Sequence, residues 1–298
     1  MACLLLCLLA AASRAAGAVV VFEATSPYHH IRVIDETGIR TLSFDGSMET
    51  RMSLLDPLKG HFEYTEYFHM PWLWHGQMTN VLMIGLGGAS TPRAYQYYYT
   101  NVMVEVVEID PLVVQVAKEF FHLKESPTLQ VRLADGRVFL RRSQTKYGAI
   151  LMDAYVKNRY GSFIPYHLAT KEFFALANDH LTDDGALAYN VIGTRHGFRA
   201  DILGAVYETM KTIFPQVYFF PAADSQNVVL IGTKSRQTAT LASLQLRATD
   251  LIQQGRIKMP TFRARLLWFR ADPPSAFSRS PVLTDDFAPT DGVLSIAK

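Results

Sequence analysis

The sequence predicts an α/β fold: a Rossmann-like, seven-stranded, mostly parallel sheet with helices on both faces, preceded by a small antiparallel β meander. Three observations predict it. The unbroken apolar run Val81-Leu82-Met83-Ile84 stops at the turn Gly85-Leu86-Gly87-Gly88, as a buried parallel strand does when it hands over to a helix through glycines that let the backbone turn tightly. A second apolar run, Val104 to Asp110, follows after one helix-length and ends in acids. Strand-like and helix-like segments then alternate to Thr233.

Taken in order, Val19 to Thr25, Tyr28 to Glu36 and Ile39 to Asp45 are β-rich and are separated by Ser26-Pro27 and Thr37-Gly38, which predicts a meander able to act as a lid. The aromatic stretch Phe62 to Trp72 reads as a helix packed on the sheet, with Tyr64, Glu66 and His69 embedded in it. The core alternation is Val81–Leu86, a helix near Pro92–Tyr99, Val104–Asp110, a helix Pro111–Phe121, Leu129–Asp135, a short helix near Arg137–Arg142 and Ala149–Asp153. It continues with a helix Thr170–His180, Gly185–Ile192, a helix Phe198–Phe214, and the strands Val217–Pro221 and Val228–Thr233, close enough together to form an antiparallel final pair. A helical segment, Leu241–Gly255, and a Pro-rich tail complete the chain. The expected organisation is a hydrophobic segment at 1–18, a β region at 19–60, a Rossmann-like catalytic domain at 61–240 and a helical segment with tail at 241–298.

Ligands on doubly wound sheets bind beyond the carboxyl ends of the strands, and Glu108, Asp110, Asp135 and Asp153 all fall on such ends. Glu108 lies twenty residues after Gly88, the spacing that sets a carboxylate at the tip of the neighbouring strand, where it can accept from both hydroxyls of a ribose. The pattern therefore points to a nucleotide or S-adenosyl ligand.

Composition narrows the class. At 298 residues and 49% hydrophobic content there is material for one large α/β domain and an appendage. A net charge of +2, with no basic block interleaved with aromatics, argues against nucleic acid as a partner. Both cysteines, Cys3 and Cys7, lie in the apolar segment Met1 to Ala18, which resembles a secretory signal ending in Ala16-Gly17-Ala18. If it acts as a signal the protein is exported or membrane-tethered, with membrane contact only through that segment; otherwise it is cytoplasmic. His29-His30, His69, His167 and His180 have spacings that fit no familiar metal site, so no metal is expected.

Together these positions resemble the spermidine synthase (polyamine aminopropyltransferase) family, which shares the class I S-adenosylmethionine-dependent methyltransferase fold. The resemblance runs from about Phe22 to Asp291. It is carried by Tyr64-Thr65-Glu66…His69, the turn Gly85-Leu86-Gly87-Gly88, Glu108-Ile109-Asp110-Pro111, Ala134-Asp135-Gly136, Met152-Asp153-Ala154 and Thr284-Asp285-Asp286-Phe287-Ala288-Pro289. The resemblance implies that Glu108, with Ile109 beside it, holds the ribose, that Asp135-Gly136 reads the adenine amine, and that Gly85, Gly87 and Gly88 lie against the sulfonium arm. It implies Asp153 as base or amine anchor, with Tyr64, Glu66 and His69 orienting the donor arm or acceptor. The co-substrate is then decarboxylated S-adenosylmethionine or S-adenosylmethionine itself, the partner a small-molecule amine, and a homodimer the common assembly.

Two acids of the family pattern are absent. The glycine turn has no aspartate for the donor's amine, and the residue three after Asp153 is Val156 where the family has a second aspartate. The loop also carries Lys157 and Arg159, which repel a polyamine at close range. Three readings follow: an aminopropyltransferase-like enzyme, a methyltransferase on the same fold, and a non-catalytic S-adenosyl-nucleoside-binding homologue.

Overall fold

A computed structural model describes residues 17–158, 161–193, 200–275 and 277–291. The chain opens with β1 (Val19–Thr25), β2 (His30–Glu36), β3 (Ile39–Phe44) and β4 (Ser47–Ser53), paired in that order as an antiparallel sheet. The expected meander has a fourth strand. Its two-residue loops are Thr37-Gly38 and Asp45-Gly46, and all four residues have positive φ (48°, 79°, 51° and 86°), the backbone that lets a hairpin keep the right-handed twist of its strands.

The aromatic stretch is not one helix: α1 (Tyr64–Tyr67) gives way to a 3-10 turn, Met70–Leu73, because Pro71 donates no backbone hydrogen bond. The core then runs β5 (Asn80–Ile84), α2 (Ser90–Tyr98), β6 (Met103–Glu108), α3 (Pro111–Phe120), β7 (Leu129–Leu133), α4 (Gly136–Arg142) and β8 (Tyr147–Met152). A short hairpin, β9 (Val156–Asn158) with β10 (Gly161–Phe163), precedes α5 (Lys171–Asp179), β11 (Leu181–Ile192), α6 (Ala200–Lys211), β12 (Gln216–Pro221) and β13 (Asn227–Thr233). Finally α7 (Leu241–Gln253) and α8 (Phe262–Leu266) fold back, and Arg265 pairs with Glu63 at 2.9 Å and Glu66 at 2.5 Å beside α1.

The seven-stranded sheet has the order β12-β13-β11-β8-β5-β6-β7. Six strands run in one direction, and β13 alone is reversed, inserted antiparallel between β11 and β12. Every residue of β8 is buried, as expected of a strand covered by helices on both faces. From β5 the chain steps outward to β6 and β7, then returns to β8 on the other side. That reversal opens a crevice at the carboxyl ends of β5 and β8.

The apolar segment at 1–18 falls, up to residue 16, outside the described residues, as do the first residues of the Phe198–Phe214 helix and Arg159. Among the described residues no helix is long and apolar enough to cross a membrane.

Candidate active site

At that crevice the backbone ladder continues past the strands: Gly85 N–H donates to Val107 O at 2.9 Å, Asp153 N–H to Ile84 O at 2.9 Å and Ala134 N–H to Glu108 O at 3.0 Å. The three strand-end loops are thereby locked together. Gly85, at φ +93°, lies so close under the Asp153 loop that a Cβ there would stand 2.2 Å from the Asp153 carbonyl oxygen. A Cβ on Gly136 would stand 2.4 Å from Ile84. These glycines permit contact between loops as much as approach to a ligand.

The loops and the meander enclose a cavity of about 780 Å³, within the range of small-molecule and cofactor sites. Gly85, Gly87, Glu108, Ile109, Asp135, Gly136, Asp153 and Tyr64 line it together. Gly88 lies just beneath the wall, its N–H donating to Thr50 Oγ1 of β4 at 2.9 Å. The meander thus roofs the cleft.

Each acid has a distinct environment. Glu108 is 8% exposed and accepts from the backbone N–H of Leu86 and of Asp110, both at 2.9 Å. Burial nevertheless pushes its carboxyl up to about 7. Asp153 accepts from Asn190 Nδ2 at 2.8 Å and from Tyr64 OH at 3.1 Å, and burial raises it to about 6 against those bonds. Tyr64 is held neutral in turn: burial first, then the charges of Asp153 and Glu49, push its phenol well above its usual range, so it acts as a donor. Asp135 caps α4 through Val138 N–H at 2.8 Å and meets His167 Nε2 at 2.8 Å, and the His167 bond holds its carboxyl below the usual range. Asp110 is fully buried, caps α3 through Leu112 N–H and binds Ser26, and it contributes no wall to the cavity.

Glu66 and His69 stand apart from the cleft. Residues two apart on a helix point to different sides, so with Tyr64 facing the cavity Glu66 turns away from it, toward Arg265 and His61. Burial alone would raise Glu66, but hydrogen bonds from His61 and Arg265 bring it down to about 2. His69 is 1% exposed and stacks on Tyr95 with ring centroids 4.7 Å apart. The tail acid Asp285 binds Arg137 in a bidentate pair at 2.7 Å and Thr170 at 2.7 Å, also outside the cavity.

Other lining residues escaped the sequence reading: Glu49 on β4, Asn190 at the end of β11, and Asp224 between β12 and β13; His167, weighed from the sequence for a metal and for a site role ahead of a helix start, also lines the cavity. The Asp45-Gly46 hairpin signal followed by Ser47-Met48-Glu49-Thr50 was the available clue to the first. Lys157 does not line the cavity; its Nζ donates to the Asp45 carbonyl. His29 packs against Phe44 and Asp45, and His180 against the Leu176 and Ser143 carbonyls. Among the described residues no three potential ligands gather for a metal.

The net character of the cavity is acidic. Glu49, Glu108, Asp135, Asp153 and Asp224 line it, and no lysine or arginine does among the described residues. Such a wall favours a cation and, among the described residues, offers a ligand carboxylate no lysine or arginine.

The Spermine/spermidine synthase domain model matches residues 61–230. The chain is 28% identical to a polyamine aminopropyltransferase of Vibrio vulnificus, over 96% of this chain and 95% of that one. It is 29% identical to an N-terminal histidine N-methyltransferase of Emericella nidulans over 74% of this chain but 43% of that one. In fold it is similar to a probable spermidine synthase from Corynebacterium glutamicum, with a TM-score of 0.68 at 16% identity, covering 92% of this chain and 97% of that one.

Proposed function

Because the chain belongs to the spermine/spermidine synthase family, we propose that it is an aminopropyltransferase: it binds decarboxylated S-adenosylmethionine in the crevice and passes the aminopropyl group to an amine. The observation that carries this reading is the acidic cavity without lysine or arginine among its described walls. Both reactants are cations. The methyl donor, ordinary S-adenosylmethionine, differs in bringing a carboxylate, for which these walls offer five acids and no described lysine or arginine, so aminopropyl transfer is favoured over methyl transfer.

Glu108 accepts from the ribose hydroxyls, and Asp135-Gly136 receives the adenine. The Gly85 to Gly87 turn lies along the sulfur arm. The amine nitrogen attacks the aminopropyl carbon bound to sulfur; the C–N bond forms as the C–S bond breaks, and the electron pair of that bond stays on sulfur. The sulfonium thereby becomes the neutral thioether methylthioadenosine. For that attack the acceptor's ammonium must first lose one proton, which frees the nitrogen lone pair, and Asp153 takes it. A carboxyl raised to about 6 is a stronger base than an ordinary aspartate and is still ionised at neutral pH. Tyr64 and Asn190 hold its two oxygens in fixed directions. Because the sulfonium is already a good leaving group, alignment supplies most of the acceleration.

Incubation with decarboxylated S-adenosylmethionine and a panel of primary amines tests the assignment. Amine-dependent release of methylthioadenosine is expected; its absence with every acceptor, alongside methyl transfer from S-adenosylmethionine, would replace this reading by the second.

A further inference from the structure

Glu49 is an ionisable group to which no described residue gives a hydrogen bond. It sits on β4, in the meander that roofs the cleft, and lines the cavity opposite the loop that carries Asp153. Among the described residues none donates a hydrogen bond to it and none forms an ion pair with it within 4 Å, although its neighbours on the same strand, Thr50 and Arg51, are both engaged. Glu49 is half-buried, and a carboxylate so placed without a protein donor costs free energy that a ligand group can recover. The groups acting on it are Asp153 from the loop after β8, Asp45 from the β3–β4 turn and Lys157 from β9, while its own charge acts on Tyr64 of α1 and on Tyr155. Burial and the Asp153 charge push its carboxyl up to about 7, with Lys157 pulling the other way. Two acids that line one cavity therefore repel each other, an arrangement relieved by a cation set between them.

Resting on the aminopropyltransferase reading, we propose that Glu49 and Asp153 hold one primary ammonium group between the roof and the floor of the cleft. Glu49 thus supplies, from a different element, a carboxylate of the kind that the glycine turn and the loop at Val156 lack. The ammonium belongs to the donor's aminopropyl arm or to the acceptor; the chemistry of recognition is the same and the two sources are separable by experiment.

Calorimetry on the full chain and on Glu49→Gln makes the test, with three probes: methylthioadenosine, which has no ammonium; decarboxylated S-adenosylmethionine; and 1,4-diaminobutane, titrated with and without methylthioadenosine. The variant should bind methylthioadenosine within about twofold of the parent and lose at least about tenfold for one ammonium probe, and the probe affected identifies the source. Affinity for that probe should rise between pH 6 and 8 in the parent, and less steeply in Glu49→Gln. A Glu49→Asp variant should recover part of the loss, which a purely structural role would not predict. Thermal melting at pH 8 should place Glu49→Gln at or above the parent, since a repelling charge is removed. A variant that binds both ammonium probes as the parent does, or a parent that binds neither, overturns the proposal. Failure of methylthioadenosine to bind the parent would instead overturn the nucleoside reading, while the diamine titration continues to judge Glu49.

Discussion

The two carboxylates at the heart of the cleft differ in what holds them. Asp153 receives hydrogen bonds on both oxygens, and Glu108 receives two backbone N–H groups, yet both are raised because burial outweighs those bonds. Replacing Asp153 by Asn keeps the shape and removes the base. Turnover should fall by about 10²- to 10⁴-fold, the usual share of a general base, while methylthioadenosine binding changes little; measuring both on one preparation checks the assignment, and unchanged turnover would remove Asp153 from the reaction. Asp153 was legible in the sequence because an acid ending an apolar run has one natural position on a parallel sheet. Glu66 was not. Its family match sat two residues from Tyr64, and only the helical turn of α1 decides which of the pair faces the cavity and which meets Arg265.

Among elements, the glycine turn and the meander do the positioning. Gly85 combines a left-handed φ of +93° with contact to the Asp153 backbone, so Gly85→Ala should lower unfolding free energy by about 1–3 kcal/mol and displace the Asp153 loop. Chemical denaturation read beside turnover checks this; a stable, fully active variant would contradict it. The turn and the β–α alternation were legible because unbroken apolar runs ending at glycine or an acid declare buried parallel strands. The fourth meander strand was hidden because Ser47 to Ser53 is largely polar, with only Thr50 and Met52 buried, and such a half-exposed edge carries little apolar signal. Glu49 was lost with it, since its role depends on how that strand lies over Asp153.

For the whole molecule, the raised acids set a pH signature. Glu49 and Glu108 titrate near 7 in the folded chain against an ordinary value of 4.5, so the folded state retains protons that the unfolded state has shed. The stability they contribute is complete below about pH 4.5 and is lost as pH rises through 7. His29 and His69, lowered by burial, act in the opposite sense below their ordinary 6.5, which leaves pH 6.5 to 8 as the window where the acids dominate. The melting temperature of the ligand-free protein should fall across that window, and Glu108→Gln should flatten the slope; a profile unchanged by the substitution would mean that Glu108 titrates at its ordinary value.

The same acidity defines the ligand. The most direct measurement is calorimetric comparison of decarboxylated S-adenosylmethionine with S-adenosylmethionine on the full chain. A cavity walled by Glu49, Glu108, Asp135, Asp153 and Asp224 should bind the decarboxylated donor at least about tenfold more tightly, whereas equal affinity or preference for the carboxylated form would contradict the account.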